Sequence, residues 1–215
     1  MKRAIFIALC LSVLGSAQTA TAQISFNINS FIGAKMLDDE DWGKYDNQFE
    51  FGIMGDIKGE EWPFSLAANI LYSSESESDY DDTWHHHDYS YTYYAEDAST
   101  TEFNLGIKKI FPLPYSWNIY IAGGGAAIYG SVEVTREIYI DDGDYWDWDS
   151  DTEDDIGFGY WGSAGIYKTL WKHLNIGLDI RYSSAEVELY DVDREAGGLH
   201  VGLILGYCWD GNPTE

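Results

Sequence analysis

Positive charge is scarce in this chain: 12 lysines and arginines stand against 37 aspartates and glutamates, a formal net charge of −25. So acidic a chain repels a phosphate backbone, which excludes nucleic-acid binding. Cysteine is scarcer still. Cys10 and Cys208 are the only two, and Cys10 sits in an N-terminal run marked for removal, so the mature chain has no intrachain disulfide open to it. Beyond that run, no stretch reaches the roughly 20 apolar residues that a transmembrane helix needs. Apolar residues at helical spacing are missing as well.

The N-terminus has Met1-Lys2-Arg3, an apolar run from Ala4 to Leu14, and small residues ending in Ala20-Thr21-Ala22. A positive start, a short apolar core and an A-x-A-like site form a secretory signal peptide over residues 1–22. The run is too short to anchor in a bilayer. Leu9, before Cys10, is bulky where a lipoprotein signal wants a small residue. Cleavage removes Lys2 and Arg3 and leaves the exported chain more acidic still.

The remainder is rich in aromatics and glycine and repeats with period two, the pattern of strands with unlike faces. The last segment shows it best: Leu199, Val201, Leu203, Leu205, Tyr207 and Trp209 alternate with His200, Gly202, Ile204, Gly206 and Cys208. The same reading holds for segments 24–36, 49–58, 64–73, 101–110 and 174–183. Segments 118–134 and 157–169 are glycine-rich and alternate less cleanly; glycine there marks bulges or close packing.

The connectors between these eight segments alternate in length. Gly59–Pro63, Pro112–Trp117 and Leu170–His173 are short; 37–48, 74–100 and 135–156 are long and acidic, and 190–198 is intermediate. Up-and-down barrels in an outer membrane have short periplasmic turns and longer outer loops. Trp62, Tyr115, Trp117, Trp171 and Trp209 gather at the short-turn ends, where interfacial girdles of Trp and Tyr belong. The expected fold is therefore all-β: an eight-stranded antiparallel up-and-down transmembrane β-barrel over 23–209, followed by a short tail, 210–215.

Face polarity separates this barrel from a soluble one. A lipocalin-like barrel turns its apolar face inward around a ligand and keeps a wet exterior. Here one face is nearly all apolar, while the other carries Lys35, Glu50, Asp56, Lys58, Glu102, Lys108, Asp179 and Arg181. Four positive and four negative groups are costly in an interior unless paired. A lipid-facing exterior around a charge-balanced core resolves the conflict. Eight strands leave room only for side chains, so a filled charge network is expected, with a narrow ion path as the alternative.

With strands, turns and final segment in this order, the chain resembles the small eight-stranded outer-membrane β-barrel proteins of the OmpX and OmpA transmembrane-domain type, over roughly residues 23–209. The most family-like piece is Gly197-Gly198 leading to the strand that ends Tyr207-Cys208-Trp209. The resemblance implies a cell outer-membrane location, contact with outer-membrane lipids and lipopolysaccharide, and a terminal aromatic strand read by the barrel-assembly machinery. Asp210–Glu215 run past Trp209, a departure from an aromatic ending.

The acidity lies in the long connectors. Asp147, Asp149, Asp151 and Glu153 alternate in a way that suits oxygen ligation of calcium, although the glycine of an EF-hand loop is missing. His85-His86-His87 could meet a transition metal only if the loop folds, because adjacent strand residues point to opposite faces. No cofactor is expected, and weak divalent-cation binding competes with plain solvated loops. Tyr89, Tyr91, Tyr93 and Tyr94, with Tyr145, Trp146 and Trp148, sit among the acids and suit a contact surface for an extracellular ligand or host surface; over 89–94 the favoured reading is an extension of the strand, with Tyr89, Tyr91 and Tyr93 on one face. Lipid A-modifying barrel enzymes need a serine, a histidine and a carboxylate. His200 faces inward without a neighbouring serine and His173 lies in a turn, so the sequence supplies no triad. The expected role is non-enzymatic, in envelope integrity or surface interaction; a small ion-conducting pore is the first alternative and a lipid A-modifying enzyme the second.

Overall fold

Strict alternation sends neighbouring side chains to opposite faces of a strand, and each long segment obeys it. The computed structural model describes the backbone of residues 24–85, 88–140 and 145–209, and the side chains of 24–78, 95–136 and 149–209. Strand β1 (Ile24–Met36) buries Asn29, Phe31 and Lys35 and exposes Ile28, Ile32 and Met36. Where side chains are described, the same parity runs through β2 (Asn47–Gly59), β3 (Ser65–His85), β4 (Asp88–Leu113), β5 (Trp117–Ile140), β6 (Tyr145–Leu170) and β7 (Leu174–Ser184). A small hairpin follows, β8 (Glu186–Leu189) and β9 (Val192–Glu195), and then β10 (Gly198–Trp209). A turn of α-helix, α1 (Asp39–Trp42), and a 3-10 turn, Gly43–Tyr45, join β1 to β2.

Eight strands close into an antiparallel barrel in the order β1, β10, β7, β6, β5, β4, β3, β2. The closing pair is β1 with β10, in register from Phe26 opposite Trp209 to Met36 opposite Leu199. Closure satisfies the backbone of every strand within the barrel, as a bilayer's interior demands. The exterior is apolar: Leu105, Ile53 and Leu203 are 69%, 61% and 61% exposed. A belt of this extent around the whole circumference far exceeds the apolar patches soluble monomers tolerate, so hydrocarbon is its proper solvent. Trp62, Tyr115, Trp117, Trp171 and Trp209 are all exposed at the short-turn end.

Two inward glycines, Gly165 in β6 and Gly202 in β10, stand against aromatic rings. A Cβ on Gly165 would sit 2.4 Å from the Tyr120 ring, and one on Gly202 would sit 2.5 Å from the Phe31 ring. Both glycines make room for an aromatic lying across the wall inside the barrel.

Three connectors differ from their sequence reading. Segment 74–100 is not a loop but the upper halves of β3 and β4, paired from Ser74 opposite Ser99 to His85 opposite Asp88. Segment 135–156 is likewise the paired upper part of β5 and β6, up to Ile140 opposite Tyr145. β4 and β5 also stay paired as far as Ser90 opposite Ile140, so a four-stranded sheet rises beyond the barrel. Acidic residues disguised these stretches as loops, while their Tyr, Thr, Val and Ile favour extended strands. The connector read as 190–198 begins at Ala185 and holds the β8–β9 hairpin, whose turn residues Tyr190 and Asp191 have φ of 55° and 58°, as a two-residue type I′ turn requires. The signal segment 1–22, the tail 210–215 and two of the three consecutive histidines, His86 and His87, lie outside the described residues.

Candidate functional site: the sealed lumen and the acidic sheet

The lumen is filled in layers. Nearest the short-turn end, Lys108 Nζ lies 2.7 Å from Asp56 Oδ1, and Asn27 Nδ2 donates to Asp56 Oδ2 at 2.8 Å. The Lys108 ammonium also sits 4.2 Å from the centre of the Tyr120 ring. Lys58, half-buried, faces the open mouth on the same side. Above this, Phe31, Met54, Leu71, Tyr120, Tyr167 and Ile204 form an apolar layer across the interior. The Tyr120 hydroxyl donates to Asp179. Arg181 Nε stands 3.6 Å from Asp179 Oδ1, an ion pair without a hydrogen bond, and its guanidinium lies 4.8 Å from the centre of the Trp161 ring.

The next layer is the most polar. Lys35 Nζ donates to Glu102 Oε1 at 2.8 Å, to Thr100 Oγ1 at 2.8 Å and to the Ala196 carbonyl at 2.7 Å. Ser183 Oγ donates to the same Glu102 oxygen at 2.8 Å. His200 Nδ1 lies 2.9 Å from both oxygens of Glu50, and its Nε2 lies 2.9 Å from Ser183 Oγ. Of the eight inward charges read from the sequence, the structure therefore joins Lys35 with Glu102, Lys108 with Asp56 and Arg181 with Asp179. Glu50 meets His200 rather than a lysine or arginine, and Lys58 has no carboxylate within 4 Å among the described residues.

An apolar plug closes the far end. Trp42 and Tyr45 from the first connector and Ala185, Val187, Leu189 and Ala196 around the β8–β9 hairpin pack on Ile128, Val132 and Trp161 of the wall. Trp42 Nε1 donates to the Glu195 carbonyl at 2.7 Å, which ties the two connectors to each other. The hairpin is pinned to β6 by Asp155 Oδ2, which accepts from the Glu188 amide at 2.9 Å. That hydrogen bond and the one from the Ile156 amide hold the Asp155 carboxyl below its ordinary range.

Serine, histidine and carboxylate thus do stand in triad order, contrary to the reading that the chain supplies none. Ser183 escaped notice because His200 pairs in register with Arg181, two residues before it. The arrangement is nevertheless unlike a working nucleophile. Ser183, His200 and Glu50 are at most 1% exposed, and the serine proton points to Glu102 rather than to the imidazole. Catalysis by such a triad needs a base-activated hydroxyl beside room for substrate.

The sheet above the plug carries the acids. Asp149 and Asp151 are exposed, and Glu153 half-exposed, along one face of β6; the side chain of Asp147 lies outside the described residues. The strand spaces the Cα atoms of alternate residues about 7 Å apart, and among the described residues no three histidine, cysteine or acidic side chains are grouped closely enough to hold a metal ion. At the base of the sheet Lys44 Nζ lies 2.9 Å from Glu77 Oε2. Hydrogen bonds to Tyr45 and Glu77 push the Lys44 ammonium upward, though so exposed a pair contributes little to stability.

A family model described as an outer membrane protein beta-barrel domain matches residues 6–204. A major outer membrane protein from Thermus thermophilus aligns with a TM-score of 0.50 at 10% identity, over 88% of this chain and 99% of that one. The outer membrane protein OprG from Pseudomonas aeruginosa aligns with a TM-score of 0.44 at 9% identity, over 89% and 97%. Ail, the attachment invasion locus protein of Yersinia pestis, solved with the heparin analogue sucrose octasulfate, aligns with a TM-score of 0.36 at 12% identity, over 88% and 100%. Identities this low speak to the fold alone. No curated protein matches the sequence.

Proposed function

The chain belongs to the outer membrane protein beta-barrel domain family and resides in the outer membrane, and on that premise we propose that it is a closed, non-enzymatic platform presenting an acidic β-sheet to a cationic partner outside the cell. The observation that carries this reading is the pairing of β3–β6 far beyond a plugged lumen. Short turns face the periplasm in such barrels, so the sheet faces outward.

The sheet's chemistry narrows the partner. Glu75, Glu77, Asp149, Asp151, Glu153 and Asp154 crowd its lower part with few bases among them. A polyanion is repelled by that field; a basic surface is drawn to it. β3 pairs with β2 only as far as Ser74 opposite Phe49, which leaves its upper part with one edge not covered by β2. Acidic side chains along such an edge discourage copies of the same chain from adding to it, while strand addition by a basic segment stays open. The carboxylate row also supports weak divalent-cation bridging to lipopolysaccharide, with outer-membrane lipids around the belt and the barrel-assembly machinery as the insertion partner.

The test is binding of protein-bearing vesicles to polylysine and to polyglutamate surfaces. Salt-sensitive capture on polylysine alone is expected, and neutralising Asp149, Asp151 and Glu153 to their amides should weaken it. Equal capture on both surfaces would reject the reading. An unchanged lipid A mass profile on expression is the outcome expected of a non-enzyme.

A further inference from the structure

The lining of the periplasmic mouth carries charge opposite in sign to the net charge of the chain. It opens into a basin of about 370 Å³ within the lower lumen. Four of the chain's few lysines line it: Lys58 and Lys108 on inward-facing positions of β2 and β4, and Lys109 and Lys172 at the rim. Among the described residues no carboxylate lines it. Asp56, on the wall beside it, already accepts from Lys108 and Asn27, and Glu60 and Glu61 are exposed on the turn outside it. Lys58 is left facing the basin with no carboxylate within 4 Å among the described residues. Asn27 and Asn118 add side-chain amides to the lining; Asn27 gives one amide proton to Asp56, and the Thr169 hydroxyl, which donates to Asn175 Oδ1 at 2.9 Å, is already committed. Tyr167, part of the apolar layer, forms the basin's floor.

We propose that this basin binds a phosphate-type anion. Excess lysine charge in a concave, partly desolvated space selects for an anion, and ammonium groups beside side-chain amides match phosphate oxygens. Low-dielectric walls strengthen that attraction relative to an open surface. The girdle of Trp62, Trp117 and Trp171 puts the mouth at the level of the inner-leaflet headgroups. A phospholipid headgroup and a soluble phosphate compound in the periplasm both present the required chemistry.

Two probes separate these sources. The first is calorimetric titration of inorganic phosphate into the full-length barrel in neutral detergent. The second is native mass spectrometry of the barrel from phosphatidylcholine nanodiscs containing phosphatidylglycerol. Saturable phosphate binding points to a soluble ligand, and retention of phosphatidylglycerol without it points to a lipid; either supports the site if Lys58→Gln weakens it roughly tenfold, the scale of one charge-assisted hydrogen bond. Lys58→Arg should restore binding. Lys58 has no ion-pair partner to orphan among the described residues, so Lys58→Gln should keep the wild-type heat-modifiable gel shift. Absence of binding to both probes, or binding that survives Lys58→Gln combined with Lys172→Gln, overturns the proposal.

Discussion

Lys35 and Glu102 lie 67 residues apart in the chain and meet inside the barrel with Nζ and Oε1 2.8 Å apart, neither more than 1% exposed. Removing one member of such a pair leaves the other charge buried, which costs about 3–5 kcal/mol. Lys35→Met should therefore be strongly destabilising, and Lys35→Met with Glu102→Leu should recover most of the loss. Denaturant unfolding of barrels in lipid vesicles, followed by tryptophan fluorescence, reads both.

Arg181 gives a graded version of the same test. Its guanidinium covers Trp161 and stands beside Asp179. Arg181→Ala removes both contacts and leaves the buried Asp179 charge with only the Tyr120 hydroxyl; Arg181→Lys keeps the charge but loses the guanidinium's contact with the ring. Stability should fall in the order wild type, lysine, alanine. An alanine variant that melts and inserts like wild type would remove the interior network from the account.

Gly165 tests the packing of the apolar layer. A methyl group there collides with the ring of Tyr120, so Gly165→Ala should cost about 1–3 kcal/mol, the usual range for overpacking. Adding Tyr120→Phe should not relieve the clash, because the ring remains. Gly165→Ala with Tyr120→Leu should relieve it in part.

The plug hairpin should loosen in acid. Because the folded-state pKa of Asp155 is lowered, its bond to the Glu188 amide stabilises the docked hairpin above the ordinary carboxylate range and is lost as pH falls through the lowered value. Hydrogen exchange at the Glu188 amide, corrected for its intrinsic pH dependence, should show protection falling on acidification. In Asp155→Asn that pH dependence should disappear.

The hairpin's turn leaves room for improvement. Tyr190 and Asp191 both hold positive φ, which Asn-Gly adopts with less strain. Tyr190→Asn with Asp191→Gly should raise protection across β8 and β9 by an amount within about 1 kcal/mol, read by the same exchange experiment.

What the sequence disclosed follows from periodicity. Parity along β1, β7 and β10 assigned the lipid and lumen faces residue by residue, Lys35, Arg181 and His200 included. Parity does not say who meets whom across the lumen. Lys35 stands in register beside His200, yet its carboxylate partner comes from β4, a choice set by how the strands tilt as the sheet closes. The plug was illegible for a different reason. It rests on two short helical turns, Asp39–Trp42 and Gly43–Tyr45, and on a hairpin whose Tyr-Asp turn lacks the usual glycine signal. The acidic sheet was legible at 89–94, where alternating tyrosines pointed to strand extension and β4 indeed runs; over the rest of 74–100 and over 135–156 charge outweighed β propensity.

The claim on which the rest depends is that the barrel is closed. Reconstitution of the full-length protein into planar bilayers tests it most directly. The plug and the apolar layer predict no current above the bare-membrane baseline at any salt concentration that preserves the bilayer. Steady, voltage-independent unitary conductance from the folded, heat-modifiable protein would contradict a sealed platform and restore the pore.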